Sequence, residues 1–182
     1  MPNATDLYRL PTWSAGGELH VVIETPKGSS AKLAWDPDLG AFTMTRALPL
    51  GVTYPHDWGF VPGTRAEDGD PLDALVLHDT GTHPGVVLAC RPIGLIELVE
   101  DDDDGQRQHN HRLIAVPTRN ERWADTTSLD DLPRRTRDEI ERFFLNTTFF
   151  TAKNAEVLGW RSAEDTARHV RECQAALGKA QG

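Results

Sequence analysis

An α+β fold is predicted for this chain by three observations. Through Val116 the apolar residues mostly alternate with polar ones, and Gly- or Pro-bearing turns recur at short intervals. Beyond Leu129 the period changes, and two segments gather their apolar residues on one helical face. Strands first and helices afterwards imply a small mixed barrel, or a strongly bent sheet, with two helices packed outside it.

Taken in order, residues 1–18 read as an N-terminal arm, with Tyr8, Leu10 and Trp13 as anchors onto the body. Residues 19–24 alternate as a strand. Residues 32–35 and 42–46 are weaker strands joined by the turn Asp36-Pro-Asp-Leu-Gly40. Further strands are expected at 58–61, at 74–78, at 86–99 with a bend at Pro92 or Gly94, and at 112–116. Residues 133–146 place Ile140, Phe143 and Phe144 on one helical face, and Leu132 and Pro133 suit its start. Residues 162–177 form the clearest helix. Ser162 suits its N-cap, Glu164 and Asp165 its first turn, and Ala163, Ala167, Val170, Cys173 and Leu177 make one stripe.

The 182 residues read as one domain, 1–182, with no repeat and no linker. The net charge of −9 argues against a nucleic-acid surface, which is usually basic, and suits a protein that gathers cations. Cys90 and Cys173 match no metal or redox spacing and sit among apolar neighbours, so both read as buried free thiols. The start carries no basic and apolar leader, and no stretch approaches eighteen apolar residues, so the expectation is no membrane and a cytoplasmic home.

The chemistry concentrates in Asp68-Gly69-Asp70-Pro71-Leu72-Asp73. Asp68 and Asp70 share a face if extended, and the turn at Gly69 and Pro71 can bring Asp73 round to them. Three like charges so close repel unless a cation joins them, and oxygen-only ligands favour Mg²⁺ or Mn²⁺. A calcium EF-hand is a poor match, because Leu72 occupies a ligand position and a strand follows. The plain alternative is a solvated acidic turn. The acidic loop, 97–111, holds Glu97, Glu100 and Asp101 to Asp104, followed by His109 and His111. It is either a solvated hairpin tip or a loop whose acids fold back on the Asp triplet. The two histidines lack the partners of a zinc site and read as surface residues.

Glu24-Thr-Pro26, Lys32, Arg46, Tyr54-Pro-His-Asp-Trp58-Gly-Phe60, the Asp68–Asp73 block, Cys90-Arg-Pro-Ile-Gly94, Asp102-Asp-Asp-Gly105 and Leu113-Ile-Ala-Val-Pro117 follow one another in an order and spacing that resembles the family I soluble inorganic pyrophosphatases. The resemblance runs from about Glu18 to Trp160, and the chain looks like a divergent member. It implies a five-stranded, OB-like β-barrel with flanking α-helices, Mg²⁺-dependent (Mn²⁺ also suitable) hydrolysis of pyrophosphate, and a homo-oligomer, usually a hexamer in bacteria. It further implies that Asp68, Asp73 and Asp102 are metal ligands, that Glu24 serves an outer metal, and that Asp70 is the general base. By the same resemblance Asn110 falls at a metal-ligand position, with Asp101, Asp103 or Asp104 as the alternative because the acidic loop carries an insertion, while Lys32, Arg46, Tyr54, Trp58 and Arg112 contact substrate.

Several positions depart from the family pattern. Ala34 replaces a Glu, Trp58 a Tyr, Asn110 an Asp and Arg112 a Lys, and Thr147-Thr148 stands where a Tyr-Lys pair holds phosphate. Lys153 is either a substitute reaching back to the site or an exposed lysine. Two alternatives follow. One is a hydrolase for an organic phosphate or phosphoanhydride that stacks on Trp58. The other is a pyrophosphatase-like binding protein with impaired turnover.

Overall fold

The computed structural model describes residues 6–180. Its elements are β1 (Leu19–Thr25), β2 (Ala31–Asp36), β3 (Ala41–Ala47), β4 (Asp57–Phe60), β5 (Asp73–Val76), β6 (Val87–Asp101), β7 (Arg107–His109), β8 (Arg112–Pro117), α1 (Arg134–Thr147), β9 (Glu156–Arg161) and α2 (Ala163–Ala180). The fold is α+β, and five strands close on themselves. β1 pairs with β4, β4 with β5, β5 in parallel with β8, and β8 with β6. The ring is completed where Val87–Cys90 of β6 returns to Leu19–Val22 of β1. β2 and β3 form a separate hairpin beside this ring.

β6 turns the corner through a register shift between Pro92 and Gly94, as the two residues suggested. A side chain at position 94 would lie 2.3 Å from Leu129, so only glycine fits the corner. Both faces of the strands are covered, which explains their nearly continuous apolar runs. Ala74, Val76, Leu113 and Ala115 pack with Val170 and Cys173 of α2. The alternate residues Leu75, Leu77, Ile114 and Val116 pack with Ile140, Phe143 and Phe144 of α1. Ser162 caps α2 as expected, its Oγ accepting from the Asp165 amide. Both cysteines are buried and free.

The arm is anchored at all three expected residues. Tyr8 packs edge-on against Phe60 and donates its hydroxyl to the Trp35 carbonyl, Leu10 joins the same cluster, and Trp13 donates to Gln174 on α2. Two strands were not foreseen. β7 and β9 are short, and both extend as strands by pairing with the far half of β6. As a result the acidic segment 97–111 is mostly paired strand. β6 continues to Asp101, β7 spans Arg107–His109, and the turn is confined to 102–106.

Candidate active site

The β2–β3 hairpin supplies one wall. Lys32 and Arg46 are paired across it, so their side chains share a face. They line a pocket with Tyr54, Trp58 and Arg112 and with Thr147 and Thr148 at the end of α1. Arg46 Nη1 donates to the Thr147 carbonyl, which fixes the guanidinium at the pocket wall. Tyr54 stands edge-on to Phe143, and burial raises its hydroxyl pKa. Trp58 is 3% exposed, enclosed by the Arg112 guanidinium at 5.4 Å and Phe144 at 5.6 Å, and its Nε1 has no partner. No free indole face is left for an organic group to stack on. Thr147 and Thr148 both donate their hydroxyls to helix carbonyls, so they bring no charge to the pocket.

The acidic turn supplies the other wall. The Ala66 amide donates to the Asp70 carbonyl, the Asp70 amide to Asp68 Oδ1, and Gly69 takes φ 93°, a left-handed value that favours glycine. Leu72, fully buried, donates its amide to Thr64 and so docks the turn on the barrel, where Asp73 opens β5. Burial, then the charges of Asp73 and Asp70, push the Asp68 carboxyl up to about 6. Glu24 on β1 is 6% exposed and accepts from the Trp35 amide. Burial pushes it up to about 7 despite that amide, with Asp73 and Asp70 adding to the rise. The charges of Asp70 and Asp73 thus reach both Asp68 and Glu24.

Glu100 joins them, a residue the sequence reading placed in the acidic segment without a role. It is 1% exposed. Its Oε1 accepts from Asn110 Nδ2 at 2.7 Å and from Lys153 Nζ at 2.6 Å, and Arg112 Nη2 lies 3.8 Å from its Oε2. Burial alone would raise its carboxyl, but Arg112, Lys153 and Asn110 outweigh it and hold the pKa below the ordinary value. Arg112 also reaches Asp73 and the Asn110 side-chain oxygen. The signal for Glu100 was legible: Ile96, Leu98 and Glu100 alternate, and all three are buried. Asp102 continues that count, but β6 has ended. Its Oδ1 turns back to accept from the Asp104 and Gln106 amides, at the rim of a cleft shared by Asp68, Asp70 and Glu100.

The donor set consists of carboxylate and amide oxygens, the chemistry of Mg²⁺ or Mn²⁺, and the raised Asp68 and Glu24 carboxyls are what a cation would relieve. Among the described residues no three side chains stand as a ready-made cage. Arg112 and Lys153 are inserted between the acids instead.

His109 and His111 divide. His109 is exposed, whereas His111 is 8% exposed and accepts the Leu98 amide at its Nδ1, so the expected surface position holds for the first alone. Burial, with His169 and His109 as neighbours, pushes His111 down to about 4.

Residues 21–177 match the family model described as inorganic pyrophosphatase. The chain is 38% identical over 168 residues to the inorganic pyrophosphatase of Synechocystis, spanning 92% of this chain and 96% of that protein. It is 40% identical over 159 residues to that of Nostoc, spanning 87% and 91%. The crystal structure of inorganic pyrophosphatase from Thermus thermophilus superposes with a TM-score of 0.87 at 38% identity, covering 96% of this chain and 99% of that one.

Proposed function

The chain belongs to the inorganic pyrophosphatase family, and from that premise we propose how its own residues carry out the family reaction. The protein is an inorganic diphosphatase that hydrolyses pyrophosphate to two phosphates. The observation that supports the residue assignment is a pair of adjoining pockets that share Glu100 and Lys153, one lined by the carboxylates Asp68 and Asp70 and the other by the cations Lys32, Arg46 and Arg112.

The family implies dependence on a divalent metal, and we assign Mg²⁺, with Mn²⁺ able to replace it. Asp68, Asp73 and Glu100 would hold it, with Glu24 serving an outer ion. Asn110 contributes at most a neutral oxygen, and Asp102 acts at the rim. Bound there, a divalent cation neutralises phosphate oxygens and acidifies water. Asp70 takes the proton of the attacking water, because it stands beside Asp68 at the open edge of the cleft. Lys32, Arg46 and Arg112 hold the phosphates and absorb the charge that develops on the leaving group. The unpartnered Trp58 Nε1 and the Tyr54 hydroxyl add neutral donors at the pocket floor.

The enclosed indole supports pyrophosphate over an organic phosphate. We further assign a homo-oligomer, a hexamer on the family pattern, in which exposed Phe149, Phe150 and Leu50 would find cover. No helix among the described residues is long and apolar enough to cross a membrane. The two free thiols suit a reducing cytoplasm. The test is phosphate release from pyrophosphate after chelation and readdition of Mg²⁺ or Mn²⁺. Asp70→Asn should lower turnover by about 10²-fold or more without loss of fold. A folded protein that releases no phosphate with either ion would refute the assignment.

A further inference from the structure

We propose that Lys153 takes the phosphate-holding role that Thr147-Thr148 cannot fill, and that Glu100 retains it until a divalent cation occupies the acids. The inference rests on the assignment of the cleft as the pyrophosphate site. Three observations carry it.

First, the end of α1 faces the pocket without a cation, its two hydroxyls spent on helix carbonyls. Second, Lys153 and Glu100 line both the phosphate pocket and the acidic cleft, with Nζ 2.6 Å from Glu100 Oε1. The lysine side chain is 46% exposed, so its head can leave Glu100 without crossing packed core. Third, its backbone is pinned to the β6–β7 hairpin. The Asp101 amide donates to the Lys153 carbonyl at 2.6 Å, and the next residue, Asn154, donates to Asp101 Oδ2 and accepts from Arg107. Nothing else on this loop carries positive charge into the cleft.

One carboxylate oxygen cannot serve an ammonium and a divalent cation equally, because the two positive charges repel at such range. Glu100 already shares Oε1 between Asn110 and Lys153. Occupation of the acids therefore frees the lysine, and the flexible stem can turn its charge towards Lys32 and Arg46 only if an anion lies between them. Metal and phosphate then favour each other through Lys153: the ion releases the cation that the phosphate needs.

The test uses the full chain with Lys153→Met and Lys153→Arg, each checked for an unchanged melting profile. Calorimetric titration measures Mg²⁺ binding to the phosphate-free protein, then binding of inorganic phosphate and of methylenediphosphonate at saturating Mg²⁺. Lys153→Met should weaken both anions by about tenfold or more, as loss of a charged contact requires. It should leave Mg²⁺ binding at least as tight as before, since Glu100 loses its internal partner. Lys153→Arg should recover most of the anion affinity. An anion loss below about tenfold, weaker Mg²⁺ binding, or an Arg variant no better than Met would each overturn the proposal. Pyrophosphate turnover by the unaltered chain is read separately. Turnover with undiminished anion binding in Lys153→Met refutes the lysine's role alone. Absence of turnover refutes the assigned reaction, while the anion titration still decides the lysine.

Discussion

Arg112 Nη1 lies 2.6 Å from Asp73 Oδ2, within the acid cluster proposed to hold metal. The guanidinium is 10% exposed, and its second nitrogen faces Glu100. Arg112→Leu would strip the partly buried Asp73 of its ion pair and leave Glu100 with Lys153 as its remaining cation. Urea unfolding of the metal-free variant should show a loss of about 1–3 kcal/mol. Saturating Mg²⁺ should recover part of it by binding the stranded acids. An equal loss with chelator and with Mg²⁺ would refute this account of the pair.

Glu24 provides a pH-dependent test of stability. Its carboxyl is raised from 4.5 to about 7, so the folded state holds the proton to higher pH than the unfolded chain does. The stability linked to this group is thus fully present below the unfolded value, falls as pH rises between the two, and is at its minimum above 7. Glu24→Gln keeps an acceptor for the Trp35 amide but removes the ionisation. In chelator it should stabilise the protein by up to about 3 kcal/mol at pH 8 and by little at pH 4. Thermal melts at the two pH values check the sign.

Protons and metal compete for Asp68 and Glu24, which are raised to about 6 and about 7. Mg²⁺ affinity should therefore climb as pH rises from 5.5 to 8. Near pH 6.5 roughly one proton should leave per binding event, and almost none above pH 8.5. Calorimetry in buffers of different ionisation enthalpy reads that proton count directly.

Gly59 lets β4 lie close against β1. A side-chain carbon there would meet the Val22 carbonyl oxygen at 1.8 Å, and that oxygen belongs to paired backbone. Gly59→Ala should cost about 2 kcal/mol or more and disturb the β1–β4 pairing. A variant that melts with the wild type would show that the strands can part at no cost.

Trp58 is covered by Arg112 and Phe144, so bulky organic groups have no ring face to occupy. In a panel of nucleoside di- and triphosphates, sugar phosphates and pyrophosphate, pyrophosphate should give the highest kcat/KM. Preference for any organic member would restore the alternative of a stacked substrate.

Much of the fold was legible because its causes are local. The apolar run at 74–78, the Ser162 cap and the stripe of α2 each specify an element from neighbouring residues, while 19–24 forms its strand with nearly every residue buried rather than in the expected alternation. β7 and β9 were not legible, since three and six residues of weak pattern become strands only through the edge that β6 offers them.

The sequence by itself determined the α+β class and the acid triplet at Asp68, Asp70 and Asp73, because residue type and spacing along one segment carry that information, whereas Lys32 and Arg46 stood out only through the family resemblance. Which distant groups meet was settled by the tertiary structure alone. The continuation of β6 to Asp101 turned Glu100 inward and left Asp102 on its own turn, and the pinned loop after α1 brought Lys153 to Glu100 from 53 positions away. Those meetings depend on where a strand ends and which hairpin it joins, and long-range pairing decides both.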